Sequence, residues 1–357
     1  MLFSRKPDFV IPPGGISSVE TLTIGGCEQT VLIQGVNPAN PVLLFLHGGP
    51  SMPLPGVSSK GQDYTVATAT KELVKHFVVV FWDQRGTGRS YSKRIPQDSM
   101  TVEQFVRDAN ELTDALRHRF EQDKIFLVGH SWGSLLGMLL IRRHPEKFHS
   151  YVGLSQIVNW TENDKLSYRW ALDEAKRRGN RRALAELEAV GPPPYVESFE
   201  QWGVLRKWMM RFDAMVYADA ETRHPGMKSI MMDVLRSETY SFMDIVHTFV
   251  HGFKLVYTNA FIQSLPAIDL EANIPAVEVP VTFIHGRKDV HVHGTLLERY
   301  YERLEAKRGK RLLWVERSSH IFHPDDAKLI ESHLILEAHR AARPAQHRRE
   351  TEEAAAN

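Results

Sequence analysis

From about residue 18 to 155 of this chain, short apolar runs alternate with helical patterns. The runs PVLLFLHGG, FVVVFWDQRG, KIFLVGHSWG and HSYVGLSQ are largely apolar rather than alternating, which is typical of strands covered on both faces of a parallel sheet. Before KIFLVGHSWG, the stretch TVEQFVRDANELTDALRHRF has Phe105, Leu112 and Leu116 at helical spacing, with Thr101 as the predicted N-cap. This order predicts an α/β fold with a mostly parallel sheet and helices on both faces.

The pattern changes near residue 156. Residues 156–265 contain helical stretches and no convincing strand, whereas strand patterns return at VPVTFIHGRKD and KRLLWVE. We therefore predict a core formed by residues 1–155 and 266–340, interrupted by an inserted helical cap at 156–265. Residues 341–357 are charged and rich in small side chains, and we predict that they form a disordered tail.

The balance of charges and the apolar pattern bear on the class of partner that this chain binds. A formal net charge of +1 over 357 residues gives no indication of a nucleic-acid partner or of binding to a membrane surface. No apolar stretch approaches the roughly 18 residues that a membrane span needs, and the first residues do not resemble a signal peptide. The single cysteine, Cys27, rules out an intramolecular disulfide and fits a reducing compartment. We expect a cytoplasmic protein that acts on a small molecule, and the oligomeric state stays open.

A serine lies between two glycines where KIFLVGHSWG passes into the helical pattern. Gly129, Ser131 and Gly133 form G-x-S-x-G between a predicted strand and a predicted helix, which is the context in which a strained turn presents a nucleophilic serine. The helix would also direct backbone N–H groups and its positive end toward a developing oxyanion. A serine in such a place can instead be a helix N-cap, but the strand before it and the helix after it favour a nucleophile.

A serine nucleophile needs a histidine base and an acid that orients this base. Asp289 follows the first strand after the insertion and His320 follows the next one, so both are expected at the same edge of the sheet as Ser131. His323 is the nearest alternative base, but His320 comes first after its strand. Asp269 precedes the strand and is expected elsewhere.

The loop HGGP follows the strand PVLLFL and supplies a second group of backbone donors. We predict that the N–H groups of Gly49 and Trp132 bind the oxyanion of the reaction. The segment DQRGTGRS lacks the phosphate-loop pattern, so its Asp83 and Arg85 are expected to brace neighbouring loops instead of binding a nucleotide. This chemistry implies no metal and no organic cofactor.

The insertion is rich in tryptophan and methionine, with four of the seven tryptophans and seven of the eleven methionines. Such side chains at helical spacing usually form ordinary core. Those that face the sheet edge would instead line an adaptable apolar pocket for a bulky substrate. The residues predicted to line it are Trp160, Trp208, Met209 and Phe212.

Taken together, HGGP, DQRGTGRS, GHSWGS, GRKD and SSH resemble the α/β-hydrolase superfamily, specifically its proline iminopeptidase-like (S33-like) branch, over about residues 18–335. The resemblance implies an α/β-hydrolase fold with an inserted cap and the same triad and oxyanion donors. Two departures stand out. In proline iminopeptidases the corresponding turn is similar to GGSWGS. This chain has His130 in place of the second glycine of that motif. Proline iminopeptidases also carry a cap motif like W-x-x-W-E, whose glutamate helps to bind the substrate's amino group, and the corresponding stretch RKWMMRFDAM has no glutamate.

We therefore predict a serine hydrolase that cleaves an ester, lactone or amide bond of a bulky, largely apolar small molecule through an acyl-enzyme. A proline iminopeptidase-type aminopeptidase is the first alternative, and Asp213 or Glu238 could then supply the missing carboxylate. Two further hypotheses stay open. One is an acyltransferase, in which an alcohol or amine replaces water, and the other is a non-catalytic ligand-binding protein on the same fold.

Overall fold

A sheet of eight strands runs through the centre of the protein, seen in a computed structural model that describes residues 5–219 and 221–342. The described residues form ten strands in all, of which eight belong to this sheet: β1 (Ile16–Ile24), β2 (Cys27–Gly35), β3 (Val42–Leu46), β4 (Val78–Asp83), β5 (Ile125–His130), β6 (Phe148–Leu154), β7 (Ala276–Val277), β8 (Val281–Gly286), β9 (Glu305–Ala306) and β10 (Lys310–Val315). The order across the sheet is β1-β2-β4-β3-β5-β6-β8-β10, while β7 and β9 form a separate pair.

Most neighbours in this sheet are parallel. The hairpin of β1 and β2 is antiparallel, as is the pair of β2 with β4, and the remaining pairs from β4 to β10 are parallel. The predicted mostly parallel sheet is therefore confirmed. Because these strands are parallel, the carboxyl ends of β3, β5, β8 and β10 all lie at one edge of the sheet, and the loops that follow them meet there.

Burial on both faces explains why the strands are apolar at every position. Along β3, Val42, Leu44 and Leu46 belong to one hydrophobic cluster, whereas Leu43 and Phe45 belong to a second. Successive side chains of a strand point to opposite faces, so each cluster covers one face of the sheet. A strand in this position cannot place polar side chains on either side without burying them.

Helices cover both faces of the sheet, as predicted. They are α1 (Leu73–His76), α2 (Val102–Arg119), α3 (Trp132–Arg143), α4 (Trp160–Arg177), α5 (Arg181–Val190), α6 (Phe199–Arg211), α7 (Gly226–Leu235), α8 (Phe242–Val246), α9 (Phe253–Val256), α10 (Asn259–Ser264), α11 (Leu270–Asn273), α12 (Gly294–Arg303) and α13 (Pro324–Ala342), with the π-helical turn His247–Gly252 between α8 and α9. α2, α3 and α12 contribute to one cluster, and α1 and α13 to the other. Thr101 caps α2 by accepting a hydrogen bond from the N–H of Gln104.

Helices also fill the segment between β6 and β7. The described residues of 156–265, which we call the insertion, contain α4 to α10 and none of the strands named above. At the other end, α13 continues to Ala342, two residues past the predicted end of the core, and residues 343–357 lie outside the described part of the chain. No helix within the described residues is long and apolar enough to cross a membrane.

Candidate active site

Ser131 lies at a sharp turn between β5 and α3. Its backbone angles, φ 54° and ψ −117°, fall in a region that residues other than glycine rarely occupy. The flanking glycines make this turn possible, since a Cβ on Gly129 would overlap the carbonyl oxygen of Gly133, and a Cβ on Gly133 would overlap that of Leu46. The turn thus lifts the serine hydroxyl to the edge of the sheet, as the motif predicts.

The three side chains predicted as a triad lie in one chain of hydrogen bonds. His320 Nε2 is 3.0 Å from Ser131 Oγ, and His320 Nδ1 is 3.0 Å from Asp289 Oδ2. The other carboxylate oxygen of Asp289 accepts the backbone N–H groups of His291 and Val292, each at 2.9 Å. Burial raises the pKa of Asp289, but His320 and these N–H donors lower it more, and it stays below its usual value. An ionised Asp289 accepts a hydrogen bond from the Nδ1–H group of His320, which leaves Nε2 unprotonated and able to accept the serine proton.

His323 and Asp269, the alternative base and acid, have other partners. His323 Nδ1 accepts the backbone N–H of Asp325 at 3.2 Å, at the beginning of α13. The carboxylate of Asp269 caps α11 by accepting the N–H of Ala272.

Two further imidazoles flank the ring of His320. The ring centres of His130 and His291 lie 5.1 and 4.5 Å from that of His320. His130 Nε2 donates to the carbonyl oxygen of His320 at 3.1 Å. Burial lowers the pKa of both flanking histidines to about 3, with the charge of His320 as the next cause, so both are neutral at pH 7. The sequence marked His130 as a departure from the family, but it carried no sign that His291 packs on His320.

Of the two backbone N–H groups predicted as oxyanion donors, one belongs to the residue that follows Ser131 and the other to a loop residue that lines the same cavity as Ser131. Trp132 is the first residue of α3, and Gly49 follows β3 with φ 117°, a conformation that favours glycine. Neither N–H has a hydrogen-bond partner among the described residues, as expected of donors left free at a helix start and in a loop.

Gln84, which sequence reasoning did not single out, joins the loops that carry these donors. Its backbone N–H donates to His47 Nε2 at 3.1 Å, and its side-chain amide donates to the carbonyl oxygen of His47 at 3.1 Å. The amide oxygen accepts the indole N–H of Trp132 at 3.2 Å. Burial lowers the pKa of His47 to about 4, so it is neutral at pH 7. The position of Gln84 within DQRG, directly after β4, was the available signal.

Asp83 and Arg85 on either side of Gln84 brace loops in the way the sequence predicted. Asp83 accepts the N–H of Val57 at 2.8 Å and the hydroxyl of Tyr240 at 2.6 Å. Arg85 forms a buried ion pair with Asp108, with nitrogen–oxygen distances of 2.7 and 2.9 Å.

A cavity of about 180 Å³ opens beside Ser131, and His320, His130 and His291 lie in its wall. The rest of the wall is mainly apolar. It is formed by Trp160, Trp202, Met209, Met215, Met227, Phe253 and their neighbours. Of the four residues predicted to line a substrate pocket, Trp160 and Met209 line this cavity.

The prediction that Trp208 and Phe212 line this pocket is wrong. The indole N–H of Trp208 donates to Glu186 at 2.8 Å, and the Phe212 ring lies 5.5 Å from the Trp208 ring. Arg178 also packs on Phe212, with its Cζ 4.9 Å from the ring centre. Both aromatic side chains therefore pack within the insertion, away from the sheet edge.

Comparison with known proteins identifies the family. A family model described as "Serine aminopeptidase, S33" matches residues 60–221. The probable aminopeptidase YbaC of Bacillus subtilis (strain 168) is 32% identical over 326 residues, which cover 90% of this chain and 96% of that protein. The chain belongs to the S33-like α/β-hydrolases. The resemblance inferred from the sequence motifs is thereby confirmed.

Solved structures agree on the fold of this S33-like hydrolase. A proline iminopeptidase-related protein from Thermus thermophilus superposes with a TM-score of 0.59 at 21% identity, covering 91% of this chain and 98% of that one. The proline iminopeptidase of Mycobacterium smegmatis gives a TM-score of 0.58 at 19% identity, with the same two coverages of 91% and 98%. At such identities the likeness supports the fold alone, which is the predicted α/β-hydrolase fold.

The carboxylate that lines the cavity of this S33-like hydrolase is paired with an arginine. Arg206 Nη2 lies 2.6 and 2.7 Å from the two carboxylate oxygens of Asp164. Burial raises the pKa of Asp164, and Arg206 counteracts that rise. Asp213 and Glu238, considered as alternative carboxylates, do not line the cavity: Asp213 is exposed, and Glu238 pairs with Lys60 at 3.1 Å. No group of three or more His, Cys, Asp or Glu side chains in residues 5–219 and 221–342 is arranged to hold a metal ion.

Proposed function

We propose that this S33-like hydrolase cleaves an ester, lactone or amide bond of a bulky, largely apolar small molecule through an acyl-enzyme on Ser131. The observation that carries the proposal is the chain of two 3.0 Å hydrogen bonds from Ser131 through His320 to Asp289, at the wall of an apolar cavity. The strained elbow supports it, because such strain persists where a site uses it.

The proposed reaction begins when Ser131 Oγ attacks the substrate carbonyl carbon and His320 Nε2 takes the hydroxyl proton. As the new C–O bond forms, the carbonyl electron pair moves to oxygen, where the N–H groups of Gly49 and Trp132 bind it. Asp289 stabilises the imidazolium. His320 then gives its proton to the leaving group, the tetrahedral intermediate collapses to the acyl-enzyme, and water repeats the sequence to release the acid.

The cavity wall supports a bulky apolar substrate. Methionines at Met209, Met215 and Met227 adapt their shape to a ligand, and Trp160 offers a flat apolar surface. Because lining residues come from both the core and the insertion, we also propose that residues 156–265 act as a cap over Ser131. We also propose a cytoplasmic location, because a chain with a single cysteine forms no internal disulfide and fits a reducing compartment.

An aminopeptidase is the second candidate, and one observation favours it. Asp164 is a carboxylate in the cavity wall, and such a group is what binding of an α-ammonium needs. The name of the Bacillus subtilis relative, a probable aminopeptidase, points the same way. Against this candidate, the charge of Asp164 is already neutralised by Arg206.

A hydrolysis screen tests the proposal. Wild type and Ser131→Ala are compared on p-nitrophenyl esters, lactones and prolyl amides whose amines are free or acylated. We expect bulky apolar esters or lactones to be cleaved better than prolyl amides, acylation of the amine to cost little, and Ser131→Ala to lose about 10⁴–10⁶-fold in kcat. Wild-type turnover in Ser131→Ala would refute the mechanism. Loss of cleavage on acylating the amine, with free prolyl amides as best substrates, would establish the aminopeptidase instead.

A further inference from the structure

Two neighbouring residues of α6 that line the cavity each carry a buried nitrogen atom with no partner among the described residues. Nε1 of Trp202 and Nη1 of Arg206 are buried and have no hydrogen-bond partner among the described residues, and both residues line the cavity. Residues four apart on a helix share one face, and the Arg206 Cζ lies 4.5 Å from the centre of the Trp202 ring. Buried polar groups are nearly always paired, so two unpaired donors on neighbouring residues of a cavity wall mark a place where a ligand could supply the acceptor.

The chemistry of these atoms defines what the ligand offers. The indole nitrogen and the guanidinium nitrogens only donate hydrogen bonds. The other terminal nitrogen of Arg206 is already taken by Asp164, at 2.6 and 2.7 Å. A matching ligand therefore presents an acceptor oxygen to both free donors.

The charge of the wall decides which kind of oxygen fits. Arg206 and Asp164 form a pair with no net charge, set in a mainly apolar wall. A carboxylate bound to Nη1 would leave one negative charge unpaired there, and an ammonium would meet the positive charge of Arg206; both carry a desolvation cost. A neutral carbonyl oxygen satisfies the donors and adds no charge.

We propose that Trp202 and Arg206 form a subsite for a neutral carbonyl oxygen of the substrate, separate from the bond that is cleaved. The assignment rests on the proposed acyl transfer at Ser131 and narrows its substrates to compounds with a second carbonyl group, such as keto esters, diesters or amide-bearing esters. The subsite orients the acyl chain by hydrogen bonds while the methionines around it supply apolar contact.

The test measures a ratio that cancels general effects on folding and catalysis. The substrates are p-nitrophenyl esters of straight-chain acids and matching esters with a ketone on successive carbons of the chain. The readout is kcat/KM of the best keto ester divided by that of its parent. We expect a wild-type ratio of about 10 or more, because hydrogen bonds that involve a charged group are the stronger ones.

The variants separate the two donors. Trp202→Phe removes the N–H and keeps the ring, and should lower the ratio about 2–10-fold, which corresponds to one neutral hydrogen bond. Arg206→Met combined with Asp164→Asn removes the ion pair without leaving an unpaired carboxylate in the wall. This double variant should bring the ratio of the two kcat/KM values close to one. Trp208→Phe and Arg211→Met are matched controls on the same helix, since neither residue lines the cavity, and both should keep the wild-type ratio.

Several results would overturn the assignment. They are a wild-type ratio near one across the whole keto series, a ratio unchanged in Trp202→Phe and in the double variant, or a loss equally large in the controls. A preference for carboxylate- or ammonium-bearing esters that disappears in the double variant would show a subsite for a charged group. Absence of Ser131-dependent turnover of any ester, lactone or amide would refute the proposed function itself, whereas ester turnover without the ratio change would refute only the subsite.

Discussion

His130 provides a measurable link between the electrostatics of the site and the stability of the fold. Its ring is buried beside His320, and burial lowers its pKa from the ordinary 6.5 to about 3. Between these values the unfolded chain binds a proton at this position and the folded chain does not. The free energy of unfolding therefore decreases as the pH falls below about 6.5, and the loss continues toward pH 3.

The magnitude follows from the same values. At pH 5, protonation of an ordinary histidine stabilises the unfolded state by RT ln(1 + 10^1.5), about 2 kcal/mol, while the folded state gains almost nothing. His130→Gln removes the titration and retains an amide N–H near the place of Nε2, which donates to the carbonyl oxygen of His320. The decrease in unfolding free energy between pH 8 and pH 5 should thus be about 2 kcal/mol smaller in His130→Gln than in wild type.

Urea denaturation followed by tryptophan fluorescence at pH 8, 7, 6 and 5 measures this difference. His47 and His291 have lowered pKa values of their own, but they are present in both proteins and cancel in the comparison. His118→Gln, at an exposed position near the end of α2, is the control and should follow wild type. Equal pH dependence in wild type and His130→Gln would refute the argument, because it would mean that His130 takes up protons as easily in the folded protein as in the unfolded chain.

Further predictions concern the base, the elbow and the loop brace. His320→Ala should lower kcat on the best ester by about 10⁴–10⁶-fold and His323→Ala should change it little; the reverse would exchange their roles. The kcat/KM of wild type should fall in acid because a protonated base cannot accept the serine proton, and a flat profile to about pH 4 would contradict a histidine base. In denaturation experiments Gly133→Ala should be strongly destabilising, since a Cβ at this position would overlap the backbone carbonyl of Leu46. Gly203→Ala on α6, where a Cβ has open space around it, should instead raise the free energy of unfolding by about 1 kcal/mol. Gln84→Leu should lower kcat more than it changes KM if the brace holds the oxyanion donors in place.

The meeting of Ser131, Asp289 and His320 could be expected from the sequence because it depends on the order of elements. Each residue follows a strand of a parallel sheet, and the carboxyl ends of such strands lie at one edge. Uniformly apolar runs identify buried strands without any knowledge of their partners. The end of each strand can be recognised from its own local sequence, and this is enough to predict that residues far apart in the chain lie close together.

The insertion follows no comparable rule. Trp208 and Met209 are adjacent in α6, yet Met209 lines the cavity and Trp208 packs on Glu186 and Phe212. Successive helical residues point about 100° apart, so the way α6 rests on the core decides which of them faces the site. The composition of the insertion predicted an apolar pocket, but of the four residues predicted to line it only Trp160 and Met209 do. The ion pair between Asp164 on α4 and Arg206 on α6 could not be predicted either, because the sequence of neither helix indicates which residue of the other it contacts.

That pairing also weighs on the choice between the two proposed functions. An unpaired carboxylate in an apolar wall attracts a substrate ammonium strongly. Asp164 is paired with the guanidinium of Arg206 at 2.6 Å, so its attraction for an ammonium is largely cancelled by the repulsion from Arg206. To bind the amine, Asp164 would have to exchange Arg206 for the ligand and leave the guanidinium buried without its partner. Reaching the unpaired donors of Trp202 and Arg206 with a carbonyl oxygen requires no such exchange. The chain's departure from the W-x-x-W-E motif and the neutral pair in its cavity wall therefore both support the proposal that this wall binds an uncharged acceptor.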